Sequence, residues 1–160
     1  MKKSFTLLAG VVLLLAIPFA ACHNKGKKAE IIAADHKSRN VTIELTSVVE
    51  IKGVYHLMMN DSINSGIDTT FITDVYRGKT VKWIKSNNSG IEKIVKVKGH
   101  RNHFIFKKNP SELINSDGFE MVIPDDAENC MMEEYLIEFK LKKDHLNYIS
   151  DPYLRIPPED

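Results

Sequence analysis

The chain has 160 residues, 22 of them basic and 21 acidic, so its formal net charge is +1 and no global excess draws it to nucleic acid. Hydrophobic residues make up 43% of the chain, enough for one well-filled core at this length. Cys22 and Cys130 are the only cysteines, which excludes a disulfide-dense scaffold.

Met1-Lys2-Lys3 opens the chain with positive charge. An apolar run follows from Phe5 to Ile17, interrupted only by Thr6 and Gly10, and Pro18 ends it. The run is shorter than the roughly 18 residues read as a spanning helix, and the layout is that of a cleaved signal peptide. Phe19-Ala20-Ala21-Cys22 resembles the bacterial lipobox, where a signal peptidase cuts before a cysteine that then carries lipid. That resemblance implies a signal peptide over 1–21, palmitate-type lipidation at Cys22 and a place in the bacterial cell envelope. One acyl chain holds a protein only marginally, at about 0.8 kcal/mol per buried methylene, but lipoproteins of this kind carry several. His23 stands where an inner-membrane retention signal often has Asp, which favours the outer membrane, facing periplasm or surface.

Residues 22–39 are polar and basic apart from Ile31-Ile32-Ala33-Ala34, and read as a flexible tether. Lys25, Lys27 and Lys28 would lie near the lipid surface, where each lysine adds about 1 kcal/mol on an anionic leaflet. Lys2 and Lys3 leave with the leader, so the mature chain is close to neutral. Its expected partner is the membrane, through lipid on Cys22, and not nucleic acid.

From Asn40 the hydrophobic period is two. Val41, Ile43 and Leu45 alternate with Thr42, Glu44 and Thr46; Val81 and Trp83 flank Lys82; Val95 and Val97 alternate with Lys96 and Lys98. Phe104 and Phe106 flank Ile105, and Tyr135, Ile137, Phe139 and Leu141 alternate with polar residues. Turn signals separate these runs, among them Arg77-Gly78, Asn87-Asn88-Ser89-Gly90 and Asp117-Gly118. The pattern predicts an all-β domain over 40–160, an antiparallel β-sandwich of about seven or eight strands. One short helix is expected from Pro110 to Asn115, capped by Ser111.

Charge is divided along this domain. Between Val75 and Lys108 there are ten basic residues and a single acid, Glu92; between Asn109 and Glu138 there are nine acids and no Lys or Arg. Two arrangements satisfy this. Basic and acidic strands could lie side by side and pair their charges. Alternatively the domain could present separate basic and acidic patches to a charged protein partner.

Asp74 to Trp83, with Gly78 at the turn and Val81-Lys82-Trp83 after it, resembles a segment of the cupredoxins. Glu134–Leu141 and Leu154-Arg155-Ile156 are similar to that family's penultimate and final strands. The resemblance implies a cupredoxin-like Greek-key sandwich over residues 40–156. It does not bring the copper site, which needs two His, a Cys thiolate and usually a Met. Residues 84–95 contain no His, and the loop from Tyr148 to Tyr153 contains no Cys, His or Met. Immunoglobulin-like and transthyretin-like sandwiches fit the same strand pattern.

Other chemistry-bearing residues are sparse. His100 and His103 have an H-x-x-H spacing and are the metal candidates, but zinc sites take three or four ligands, and His56 and His145 are remote in sequence. With Cys22 carrying lipid, Cys130 is expected to be buried or half-buried, and Met131 and Met132 to fill core gaps. Asp125-Asp126 lacks calcium-loop spacing and reads as an acidic surface loop. No nucleophile-elbow, zinc-protease or phosphate-loop motif occurs. The expectation is a lipid-anchored, non-catalytic binding or interaction module without a cofactor. The alternative is a periplasmic metal-handling cupredoxin relative with a rearranged site.

Overall fold

The computed structural model describes residues 40–100, 104–114 and 116–158. The expected leader, lipidation site Cys22 and tether fall on residues 1–39, outside the described residues, and His103 also lies outside them. Among the described residues no helix is long and apolar enough to cross a membrane.

Strands dominate. In chain order they are β1 (Val41–Ile51), β2 (Val54–Asn60), β3 (Ser65–Ile67), β4 (Ile72–Asp74), β5 (Thr80–Lys85), β6 (Ile91–Gly99), β7 (Ser111–Glu112), β8 (Gly118–Val122), β9 (Met132–Leu141), β10 (Asn147–Ser150) and β11 (Tyr153–Arg155). One sheet runs β3-β2-β1-β5-β8-β7; the other runs β10-β9-β11-β4, with β6 also paired to β9. The described segments outnumber the seven or eight strands expected because several are only two to four residues long. Two pairings, β1 with β5 and β11 with β4, are parallel, and the rest are antiparallel. The domain is an all-β sandwich with mixed sheets.

Alternation explains the core. Val41, Ile43 and Leu45 from β1, Val81 and Trp83 from β5, and Tyr135, Ile137, Phe139 and Leu141 from β9 are all buried. Among the described residues the buried core lies between Val41 and Ile156. At its centre Trp83, Phe106 and Tyr135 pack ring on ring, with centroids 5.4–6.1 Å apart. Trp83 Nε1 donates to the Tyr135 hydroxyl at 3.1 Å, so the one polar atom of the indole is satisfied inside the core. Gly78 makes the turn into β5 at φ +65°, and a Cβ there would stand 2.8 Å from Asp125 Oδ1.

Strand order sets basic strands beside acidic ones. Basic β5 lies beside acidic β8, with Lys82 opposite Glu120 and its Nζ 3.4 Å from Oε2. Lys85 reaches Asp117 at 2.6 Å, and Lys107 pairs with Asp126. Basic β6 lies beside acidic β9, with Lys96 opposite Glu138. The lysines of β6 have a second role. Among the described residues that strand pairs only with β9, and an open edge invites pairing with another chain. Lys93, Lys96 and Lys98, with two register shifts along the strand, blunt that edge.

Three local expectations are corrected. Pro110–Asn115 holds no helix among its described residues: Ser111 and Glu112 pair with Glu120 and Phe119, and Leu113 N donates to Gly118 O at 3.0 Å. Asp117-Gly118 closes a hairpin there, and Ile114, 90% exposed, gives a helix no apolar face to bury. Phe104-Ile105-Phe106 is not a strand either. Ile105 and Phe106 are both buried and Phe104 is exposed, because the amides of Ile105 and Phe106 donate to the Glu133 carboxylate instead of to a strand neighbour. Cys130 is exposed, not buried, since it sits at φ +58° where the chain reverses before β9.

Candidate functional site

The described histidines, His56, His100 and His145, do not converge. His56 Nδ1 lies 3.0 Å from Asp68 Oδ1, His100 Nδ1 lies 2.9 Å from Glu134 Oε2, and His145 Nδ1 lies 2.7 Å from Glu92 Oε2. Each imidazole thus has its own carboxylate. The bond from His145 is the main reason that Glu92 titrates below the usual carboxylate range. Among the described residues no group of three or more His, Cys, Asp or Glu is placed to hold a metal.

His100 belongs to a polar row across β9. Glu134 stands opposite Tyr153, whose hydroxyl donates to Glu134 Oε1 at 3.2 Å, while His100 takes the other carboxylate oxygen. Burial pushes the Asp151 carboxyl above its usual range, and the negative charge of Glu134 adds to that. The Tyr153 phenol is raised in the same way, by burial first and then by Glu134. The row links β9, β11 and the end of β6 through side chains.

Three buried carboxylates serve the fold. Asp68 is 4% exposed and lies in the single 3-10 turn, Asp68–Thr70, by which the chain leaves the first sheet for the second. Its Oδ2 accepts from Leu57 N at 3.2 Å and from Ser150 Oγ at 2.7 Å; its Oδ1 accepts from Thr69 N and meets His56. It therefore ties β2 to β10. Asp61 accepts from the amides of Ile63 and Asn64 and closes the turn between β2 and β3. Glu133 Oε2 accepts from Ile105 N at 2.6 Å and Phe106 N at 3.2 Å, holding that loop over Trp83 and Tyr135. Sequence reasoning named none of the three. Asn60-Asp61-Ser62 carries a turn signal, but the partners of Glu133 and of Asp68 lie 28 and 82 residues away.

The core opens to solvent at one end of the sandwich. A cleft of about 380 Å³ is lined there by Val48, Tyr55 and Leu141, by the turn residues Ser89 and Gly90, and by Lys142 and Lys143. It arises because β1 and β2 run past β5: residues 41–45 of β1 pair with β5, whereas residues beyond them pair only with β2. Val48, opposite the fully buried Leu57, is thus only partly covered. The aromatic wall is held in place. Tyr148 stacks on Phe139 at 5.9 Å and meets Tyr55 edge-on at 5.2 Å. The Tyr148 hydroxyl donates to Asp144 Oδ2 at 2.7 Å, which raises the phenol above its usual range. Lys143 Nζ lies 3.8 Å from the Tyr55 ring centroid, and the Tyr55 phenol raises the lysine further above its ordinary value. Across the mouth, Lys142 N donates to Gly90 O at 3.0 Å.

Chemically the cleft is an apolar slot whose lining includes two exposed lysines, and among its described lining residues none is acidic. It can bind, and it presents no nucleophile paired with a base. Sequence reasoning did not find it: Val48, Tyr55 and Leu141 read as ordinary strand residues, and only the premature end of β1–β5 pairing leaves them open. No protein-family model matches the chain, and no curated protein is significantly similar to it in sequence.

Proposed function

We propose that the chain is an exported bacterial lipoprotein, cut before Cys22 and held by lipid on that residue, whose sandwich is a non-catalytic binding module of the cell envelope. The leader and the small-small-Cys sequence support the anchor, and His23 supports outer-membrane sorting. The observation that carries the binding role is the cleft, where the core meets solvent between Val48, Tyr55 and Leu141. Slots of roughly 300–1,000 Å³ with an apolar lining and a few placed polar groups are the usual form of small-ligand sites. The cupredoxin likeness of the Asp74–Trp83 segment and of the closing strands belongs to this reading as a chain trace, without copper chemistry.

Mass spectrometry of the protein from bacterial membranes is expected to find a chain beginning at an acylated Cys22, and Cys22→Ala to release the protein from the membrane fraction. An unmodified Cys22 overturns the anchor. Turnover of an envelope substrate by the purified protein, abolished by a surface substitution, overturns the non-catalytic role.

A further inference from the structure

We infer that the cleft takes a small amphiphilic carboxylate, with its alkyl or aryl body between Val48, Tyr55 and Leu141 and its anionic group at Lys142 and Lys143. This rests on the binding-module reading and names its ligand class.

Three observations carry it. The floor is continuous with the core: Leu141 is buried, and Val48 packs against the buried cluster while facing the slot. An apolar body placed there leaves water for surface that already borders the core, which is the favourable step in most small-ligand binding. The rim has one sign of charge. Lys142 and Lys143 line it; the nearest acid in sequence, Asp144, is held in its charged form by Leu146 N at 3.0 Å and by the Tyr148 hydroxyl and offsets part, not all, of the lysines' charge. An anion is therefore attracted, while a cation meets two exposed lysines. The walls are pre-set. The chain of contacts Phe139–Tyr148–Tyr55–Lys143 fixes the ring that the ligand would lie against, so little side-chain freedom remains to be lost on binding.

Size limits the class. A volume of about 380 Å³ stands near the lower end of small-ligand sites, so one ring or a short chain fits and a two-chain lipid does not.

The test uses residues 40–160, which contain the core from Val41 to Ile156, labelled with nitrogen-15 and titrated separately with octanoate, octylammonium and acetate. Octanoate is expected to shift the amides of Gly90 and Lys142 saturably. Acetate, lacking the apolar body, and octylammonium, with the wrong charge, are expected to leave both signals in place. Lys142→Gln combined with Lys143→Gln changes two exposed side chains, so the fold is kept, and should weaken octanoate binding by about threefold or more. The inference is overturned if octanoate does not saturate the signals or shifts residues elsewhere. It is also overturned if octylammonium binds as well, or if the double variant binds octanoate unchanged. None of these results touches the mass-spectrometric test of Cys22, so the two readings fail separately.

Discussion

Ser150 Oγ lies 2.7 Å from Asp68 Oδ2, and the same oxygen accepts the amide of Leu57 from the opposite sheet. One buried carboxylate thus stands where the ladder of the first sheet stops and takes up a partner from the second. Asp68→Ala leaves the Leu57 amide and the Ser150 hydroxyl without their acceptor. Hydrogen bonds to a charged group contribute about 1.5–3 kcal/mol each, so this variant should lose about 3 kcal/mol or more. Ser150→Ala removes one donor and leaves the carboxylate its other partners, so its cost should be about 1–2 kcal/mol. Urea denaturation of the three proteins checks the order, and equal stability of Asp68→Ala and the parent would remove Asp68 from its role as a tie.

That tie marks the limit of what sequence shows. Period-two runs placed Val41 to Leu45, Val81, Trp83 and Tyr135 to Leu141 correctly, because one-sided burial enforces strict alternation. The same rule misassigned Phe104 to Phe106, since Glu133 draws both consecutive amides and turns two adjacent side chains inward. Pro110 to Asn115 looked like a capped turn of helix, but a two-residue pairing with β8 decides it. The cleft was invisible for a similar reason: it depends on where β1 stops pairing with β5, which is a register fact. The charge blocks were plain in the sequence, and only strand order showed that they pair.

Tyr135 sets an alkaline limit on stability. Its hydroxyl accepts from Trp83 Nε1 in the fully buried centre of the core, and burial pushes the phenol well above its ordinary value of 10.0. A raised value means that the folded state favours the neutral phenol. The associated stability is complete below about pH 10 and is lost as pH rises beyond it, where the unfolded chain ionises first. At neutral pH, Tyr135→Phe should cost about 1–3 kcal/mol, because the indole N–H loses its acceptor. The gap between parent and variant should narrow above about pH 10, since only the parent loses the phenol-linked contribution. Urea midpoints measured for both proteins across that range test the sign; a constant gap contradicts it.

Lys82 and Glu120 face each other across β5 and β8, and each side chain is 43% exposed. Screening by solvent keeps such a pair small, and a double-mutant cycle with Lys82→Ala and Glu120→Ala should give a coupling of about 0.2–1 kcal/mol. Raising the salt concentration should reduce it further. The informative variant is Glu120→Lys, which sets two like charges opposite each other, and Lys82→Glu in the same chain should restore the lost stability. A coupling of zero that salt does not change would mean that this pair contributes nothing measurable to the pairing of β5 with β8.

Gly99 ends β6 at a point where no side chain fits. A Cβ there would stand 2.5 Å from Phe106 Cβ and 2.8 Å from Glu133 Oε1. Neither neighbour is a flexible tip. Phe106 is packed between Trp83 and Tyr135, and its amide is bonded to the carboxylate that the new methyl would strike. Replacing Gly by Ala stiffens the unfolded chain and on that account alone would stabilise by about 0.4–1 kcal/mol. Forcing a methyl into a filled site typically costs about 1–3 kcal/mol, which exceeds that gain. Gly99→Ala is therefore expected to be destabilised by about 1.3 kcal/mol, the difference between the midpoints of these two ranges. Its near-ultraviolet circular dichroism should change as well, because the displaced Phe106 ring lies 6.1 Å from Trp83. A variant as stable as the parent with an unchanged aromatic signal would show that the loop over Trp83 yields freely, and that Glu133 does not hold it in place.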